Sequence, residues 1–281
     1  MRRCLSDILK NIRMAISNEY SNLHNLFYSY EASHFSGGWV SATLYQHCRD
    51  WFLSYPISIR STFIDMDDFE RKTGLDFYYA TSTDDIDILV SFCEYSYNFT
   101  VYLRNFVKLE REGIKEDFAN FYVKQVLSVV EKLGYVPNAK DGITDFVPKN
   151  PAAIAVAEII DEDLAYDVIE YNHHSMRGNL LAKKTTLLRF ANLLEPQRSI
   201  LETINKKLSV NIFFMFNNLD LRHNNSTSGD KNYQQYTEQM TKEDLEAWYD
   251  ELYQMCLLAF LEIDNIERAE KVDVLKKNYK S

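Results

Sequence analysis

Residues 242–268 carry apolar side chains at three- and four-residue steps, and this spacing constrains the fold more than any other feature of the chain. An α-helix has about 3.6 residues per turn, so side chains at this spacing share one face, which a globular protein buries. Thr241 precedes the stripe and Asp244 follows three residues later, in the pattern of a capping box that starts a helix. The sequence therefore predicts a long amphipathic helix at about 242–268, whose apolar stripe consists of Leu245, Trp248, Tyr249, Leu252, Cys256, Ala259, Phe260 and Ile263.

Apolar stripes of the same kind run through most of the chain. Glycine and proline are scarce, at 8 and 5 of 281 residues, whereas a β-sandwich or barrel needs many tight turns. The predicted fold class is therefore all-α, built from helical bundles. Further helices are expected at about 5–30, from the SGG break at 36–38 to Pro56, and at about 83–103, 114–133, 151–176, 179–195 and 196–216.

The stretch YVPNAKDGITDFVPKNP, residues 135–151, interrupts the helical pattern. It contains three of the five prolines, and Asp141-Gly142 is a typical two-residue hairpin turn. A short β-hairpin or an extended linker is expected at 135–150. This segment is expected to separate an N-terminal helical domain, residues 1–134, from a C-terminal helical domain, residues 151–281.

The formal net charge is -10 and the pI is about 5.2, which excludes a uniformly basic nucleic-acid-binding protein. The charge is unevenly distributed along the chain. Residues 158–170 hold six carboxylates and no Lys or Arg, whereas residues 177–207 hold seven Lys or Arg residues against two Glu residues. Two interpretations stay open: ordinary solvated helix faces, or a local phosphate-facing surface in an acidic protein.

The four cysteines, Cys4, Cys48, Cys93 and Cys256, are far apart in sequence and form no CxxC pair. This argues against a structural zinc site and predicts buried thiols in a reducing compartment. The longest apolar stretch, MCLLAFLEI, is far shorter than the roughly 20 residues of a membrane helix. A cytoplasmic protein with no membrane association is expected.

Two glutamates precede a histidine by three residues, in Glu31-x-x-His34 and Glu170-x-x-His173. Such pairs on facing helices are ligands in di-iron bundles, because positions three apart share a helix face. The first pair runs directly into the Gly37-Gly38 break, so chance matches at helix ends are the favoured interpretation, and no metal or cofactor is expected. The sequence contains no GxGxxG, GxxxxGK[ST] or GxSxG motif for nucleotide binding or hydrolysis.

Arg222 and His223 are adjacent in NNLDLRHNNSTSGD, which follows the apolar run NIFFMF. Arginine presents a fixed fork of donors to phosphate oxygens, and histidine moves protons near neutral pH. Cleavage of an RNA backbone by its own 2′-hydroxyl needs a group that moves protons and a cation that stabilises the phosphorane, and it needs no metal. The alternative is that Arg222 and the neighbouring asparagines cap a helix end and connect loops.

Four stretches lie between about Tyr171 and Arg268: YNHHSMRGNLLAKKTTLL, NLLEPQRSILETINKKL, FNNLDLRHNN and LEAWYDELYQMCLLAFLE. Together they resemble the C-terminal part of bacterial abortive-infection proteins of the AbiJ-like kind. The resemblance implies a HEPN-like helical domain, a class that includes metal-independent ribonucleases acting as dimers. It implies a phage-defence protein that binds or cleaves RNA as a homodimer, with an accessory helical domain in its N-terminal half.

The family's catalytic pattern is an arginine, a polar residue and a closing histidine, with four to six residues between the arginine and that histidine. Arg222 and His223 match its first half, but Thr227, Ser228 and Gly229 stand where the closing histidine belongs. Either His223 itself transfers the proton, or the domain is a non-cleaving relative that serves as an interaction or regulatory module. That second hypothesis implies a protein partner.

The predicted site therefore has two parts in the C-terminal half of the chain. Arg222 and His223 are the predicted catalytic residues. The predicted RNA-binding residues are Lys183, Lys184 and Arg189 of the basic stretch, together with Asn224 beside the catalytic pair.

Overall fold

The computed structural model describes residues 5–31, 42–106, 116–222 and 235–279. The chain divides into two compact units, an N-terminal unit, Met1–Pro148, and a C-terminal unit, Lys149–Ser281. The fold class is all-α, as predicted, with one two-stranded hairpin among the described residues. Within those residues, no helix combines the length and the apolarity needed to cross a membrane.

The N-terminal unit is a set of helices followed by the hairpin. The helices predicted at 5–30, 83–103 and 114–133 are present with shifted ends. Two short helices, Ile57–Arg60 and Met66–Thr73, were not predicted because four to eight residues are too few to show a period. The elements are α1 Leu5–Tyr28, α2 Leu44–Asp50, α3 Ile57–Arg60, α4 Met66–Thr73, α5 Ile86–Phe106, α6 Glu116–Lys132, β1 Tyr135–Lys140 and β2 Ile143–Pro148.

Aromatic rings form the centre of the N-terminal unit. The ring of Phe27 on α1 is fully buried, and its centroid lies 6.1 Å from that of Phe92 and 6.0 Å from that of Tyr95, both on α5. Tyr122 of α6 approaches the same ring to 5.5 Å. Tilted and edge-on pairs at these distances are the favoured aromatic geometry, so α1, α5 and α6 are packed together by their large side chains.

The hairpin prediction is confirmed. Lys140 pairs with Ile143 across a two-residue turn in which Asp141 and Gly142 have φ values of 54° and 81°. Two consecutive positive φ values define the turn that best matches strand twist, and an Asp-Gly pair tolerates them. The hairpin docks on α5 through Asn98, whose side chain donates to and accepts from the backbone of Thr144 at 2.8 Å. It therefore belongs to the N-terminal unit instead of standing between two domains.

The C-terminal unit contains the long last helix predicted from its apolar stripe. The capping box of Thr241 and Asp244 is present, and the helix continues beyond the predicted end near residue 268 to Asn278. The elements are α7 Pro151–Ala157, α8 Glu162–Glu170, α9 Leu180–Leu194, α10 Arg198–Ile204, α11 Lys206–Asn218, α12 Gln235–Glu238 and α13 Lys242–Asn278, with 3₁₀ turns at His174–Met176 and Glu195–Gln197.

Two helices predicted as continuous are each divided. The predicted helix at 196–216 breaks at Asn205, whose φ of -144° is not helical. Its side-chain oxygen accepts from the backbone N–H of Leu208 at 3.1 Å and so starts α11. The predicted helix at 151–176 divides into α7 and α8. The apolar stripe continues across both breaks, which is why periodicity alone did not reveal them.

Helix α13 is the centre of the C-terminal unit. It contacts α7, α9, α10 and α11, and its stripe from Tyr249 to Phe260 is buried. Among the residues expected at the functional site, the described ones lie on α9 or shortly after α11, so α13 and its neighbours determine the surroundings of Lys183, Lys184, Arg189 and Arg222.

The prediction of buried thiols is confirmed for the three cysteines that the structure describes. Cys48, Cys93 and Cys256 are free and buried, and burial raises the pKa of the Cys48 thiol to about 12. Neutral thiols of this kind behave as small apolar side chains. Cys4 lies outside the described residues.

Candidate functional site

Arg222 lies directly after α11, and the chain around α9 and α11 holds its guanidinium in place. The guanidinium pairs with the carboxylate of Glu195, in the 3₁₀ turn that follows α9. Its Nη2 lies 3.5 Å from the carbonyl oxygen of Ala191, and its Cζ lies 5.3 Å from the ring centroid of Phe216. The side chain is 24% exposed. Arg222 is thus an oriented cation that keeps a solvent-facing edge.

A second guanidinium, that of Arg198, lies near Arg222, and both contact the ring of Phe213. The ring of Phe213 has the Cζ of Arg198 at 4.6 Å and the Cζ of Arg222 at 5.9 Å from its centroid. Arg198 in turn pairs with Glu202 at 3.0 Å. Each arginine therefore has its own carboxylate, and the charge of this region is close to balanced.

His223 and Asn224 lie outside the described residues. Their predicted roles, proton transfer for His223 and RNA binding for Asn224, stay predictions. The same holds for the Glu31-x-x-His34 pair, since His34 also lies outside the described residues.

Lys183 is buried, which the sequence did not indicate. Its side chain is 5% exposed, and its Nζ lies 2.7 Å from both Glu246 Oε1 and Asp250 Oδ1 of α13. The ammonium also lies 5.3 Å from the ring centroid of Tyr171. This burial conflicts with the expected contact between Lys183 and an RNA backbone, because the ammonium would have to leave both carboxylates to reach a phosphate. A cluster of basic residues in sequence does not reveal which members face inward.

The other two basic residues of the predicted RNA-binding stretch are paired as well. Lys184 Nζ lies 3.3 Å from Asp220 Oδ2, and Arg189 pairs with Asp167 of α8. Asp167 belongs to the acidic segment 158–170, so the acidic and basic segments partly neutralise each other across the α8–α9 contact. A free phosphate-facing surface is therefore smaller than the local net charge suggested.

A cavity of about 250 Å³ lies beside Lys183 and includes His173 in its lining. His173 Nδ1 lies 2.7 Å from Ser175 Oγ and 3.7 Å from Glu170 Oε1. The predicted Glu170-x-x-His173 pair is thus formed at the end of α8. Two tyrosine rings stack on one wall of the cavity, with centroids 4.0 Å apart and planes within 3°, those of Tyr171 and Tyr253.

Sequence reasoning missed a larger cleft in the N-terminal unit. Its volume is about 520 Å³, and a buried carboxylate, Glu70, and four tyrosines line it. The tyrosines are Tyr28 at the end of α1, Tyr45 on α2, and Tyr78 and Tyr79 after α4. No motif could have identified this site, because its residues come from separate elements and none forms a recognisable spacing with another.

Comparisons with protein-family models, with curated proteins and with solved structures find no match for this chain.

Proposed function

We propose that the C-terminal unit is an RNA-directed module of the HEPN-like kind, in which Arg222 binds the phosphate backbone. One observation supports this most: the guanidinium is oriented by Glu195 and by the ring of Phe216, yet keeps an exposed edge. A pre-oriented donor fork binds a phosphate at low entropic cost. The resemblance of FNNLDLRHNN to abortive-infection proteins supplies the substrate class, the defence role and the homodimer.

The proposed reaction is transesterification within the RNA itself. The 2′-hydroxyl loses its proton to His223 and attacks the adjacent phosphorus, while the bond from phosphorus to the 5′-oxygen breaks. The departing 5′-oxygen takes up the proton that His223 had accepted, which leaves a 2′,3′-cyclic phosphate and a 5′-hydroxyl and returns His223 to its neutral form. Arg222 stabilises the negative charge that accumulates on the phosphorane oxygens.

The pairing of the basic side chains with carboxylates supports a second function. Arg222 shares its guanidinium with Glu195, Lys183 is buried between two carboxylates, and Arg189 pairs with Asp167. A module of this kind that binds a protein partner and cleaves nothing would use Arg222 only to connect α9 and α11. This second function agrees with the acidic pI and with the missing closing histidine.

The test uses Arg222→Ala and Arg222→Lys, incubated with total RNA and with tRNA in excess EDTA. We expect the wild type to cleave, Arg222→Ala to lose roughly a hundredfold in rate, and Arg222→Lys to fall between them. The matched control is Arg268→Ala, which also removes an arginine paired with a carboxylate, that of Asp264 on α13. Cleavage by Arg222→Ala at the wild-type rate would remove Arg222 from the mechanism.

The variant Glu195→Gln distinguishes between the two proposed functions. If Arg222 binds phosphate, the loss of its competing carboxylate raises RNA affinity, whereas Arg222→Ala lowers it. If Arg222 only connects the helices, Glu195→Gln and Arg222→Ala lower the thermal midpoint to a similar extent, and neither changes binding to RNA. Gel-shift titration and thermal unfolding of the same samples measure both quantities.

A further inference from the structure

The cleft of the N-terminal unit contains an uncompensated buried carboxylate. Glu70 of α4 is 5% exposed, and it accepts hydrogen bonds from the hydroxyl of Tyr45 at 3.3 Å and from the hydroxyl of Tyr95. Among the described residues, no Lys, Arg or His lies within ion-pairing distance of it. Burial raises the pKa of Glu70, which reflects the cost of holding this charge away from water.

The arginines that line the cleft are engaged elsewhere. Arg49 pairs with Asp67 at 2.6 Å, and Arg71 pairs with Asp68 at 2.8 Å. Asp76 also lines the cleft and accepts from a backbone N–H. After these pairings the cleft still carries excess negative charge, so an anionic ligand would be repelled.

Three of the four tyrosine rings that line the cleft pack against one another. The ring centroid of Tyr28 lies 4.7 Å from that of Tyr45 and 5.4 Å from that of Tyr78, which stands nearly perpendicular to it. Tyr45 and Tyr78 are 5.9 Å apart. The hydroxyl of Tyr28 lies near that of Tyr95 but makes no hydrogen bond of ordinary geometry to a described residue. Electron-rich tyrosine rings and a carboxylate that line the same cleft both attract an organic cation.

We propose that this cleft binds a small organic cation, whose ammonium or guanidinium group contacts Glu70 and the rings of Tyr28, Tyr45 and Tyr78. A neutral apolar ligand would leave the charge of Glu70 uncompensated. A metal ion fits the site poorly, because no group of three metal-ligating side chains is found in this cleft among the described residues. The proposal is independent of the RNA-directed function of the C-terminal unit.

The test is calorimetric titration of the full chain with choline and, separately, with methylguanidinium. The matched control ligand is 3,3-dimethylbutan-1-ol, which has the shape of choline but carries carbon in place of the charged nitrogen. We expect at least one cation to bind at millimolar concentration or below, and the alcohol to bind at least about tenfold more weakly. Absence of binding by both cations up to about 10 mM, or equal binding of the alcohol, would overturn the proposal.

Two variants locate the bound cation. Glu70→Gln keeps an acceptor for the tyrosine hydroxyls and removes the charge, so we expect affinity to fall about tenfold with the fold retained. Tyr78→Ala removes a half-exposed ring of the cleft and should weaken binding similarly. Tyr30→Ala is its control, because Tyr30 is equally exposed but stacks on Phe118 outside the cleft. Unchanged affinity in folded Glu70→Gln protein would contradict the assigned site.

Discussion

The two units each bury a charged side chain, but they compensate it differently. In the C-terminal unit, Lys183 is enclosed by Glu246 and Asp250, so its charge is matched by the chain itself. In the N-terminal unit, Glu70 receives two tyrosine hydroxyls and no cation from the described residues. Both groups give up hydration on folding, which is costly for an ion. A charge matched internally becomes costly when its partner is removed, whereas a charge left open at a cleft is available to a ligand.

The largest expected effect on the free energy of unfolding comes from removing the charge of Lys183. Lys183→Met leaves the carboxylates of Glu246 and Asp250 beside each other without a counter-charge, and we expect a loss of about 3 kcal/mol in the free energy of unfolding. Lys184→Met is the control, because the Lys184 side chain is 20% exposed and its ammonium pairs with a single carboxylate, that of Asp220, at 3.3 Å; this variant should lose less than about 1 kcal/mol. Urea unfolding of the two variants measures the difference. Equal losses would show that the buried group is no more important than its neighbour.

Glu246 provides a pH test of the same pairing. Its hydrogen bond from Lys183 lowers the pKa of the carboxyl below the ordinary value of 4.5. The stabilisation is therefore fully present above about pH 4.5 and is lost as pH falls through the lower folded-state pKa. Glu246→Gln should cost about 1.5 kcal/mol at pH 7 and less at acid pH. A pH-independent difference between wild type and variant, measured by urea unfolding at several pH values, would contradict the charge pairing.

Gly178 supports this cluster from the backbone. Its N–H donates to Glu246 Oε1 at 2.8 Å, and its φ of 73° lies in the left-handed region. A Cβ at this position would meet open space, so Gly178→Ala tests backbone strain alone. We expect a loss of about 1 kcal/mol in unfolding free energy, measured by thermal unfolding. A neutral substitution would mean that the loop relaxes without disturbing Glu246.

The substitution of Glu70 is expected to have the smallest effect on stability. The pH dependence of this effect has the opposite sign to that of Glu246. Burial raises the pKa of this carboxyl above 4.5, so its protonated form favours folding below that pH, and this contribution is lost as pH rises through the folded-state pKa. The stability of the wild type relative to Glu70→Gln should therefore fall between acid and neutral pH, by less than about 1 kcal/mol. A rise over the same interval would indicate that a cation of the chain compensates Glu70 after all.

Local signals in the sequence predicted much of the fold. The capping box at Thr241 and the Asp141-Gly142 turn are present in the structure, because each depends on hydrogen bonds or φ values within four residues. The break at Asn205 was missed, although its mechanism is also local, since an uninterrupted apolar stripe concealed it. For the candidate site, the sequence indicated Arg222 but not its carboxylate, because Glu195 comes from a separate element.

The sequence by itself determined the helical class, the hairpin and the presence of an arginine–histidine pair after an apolar helix. Only the tertiary structure decided which charged side chains are buried and which residues pair with them. Lys183 meets Glu246 across 63 residues of chain, and the tyrosine rings that line the cleft with Glu70 come from separate parts of the chain. The physical reason is that hydrogen-bonded turns and caps are formed within a few residues, whereas the loss of water around an ion depends on all the elements that pack over it.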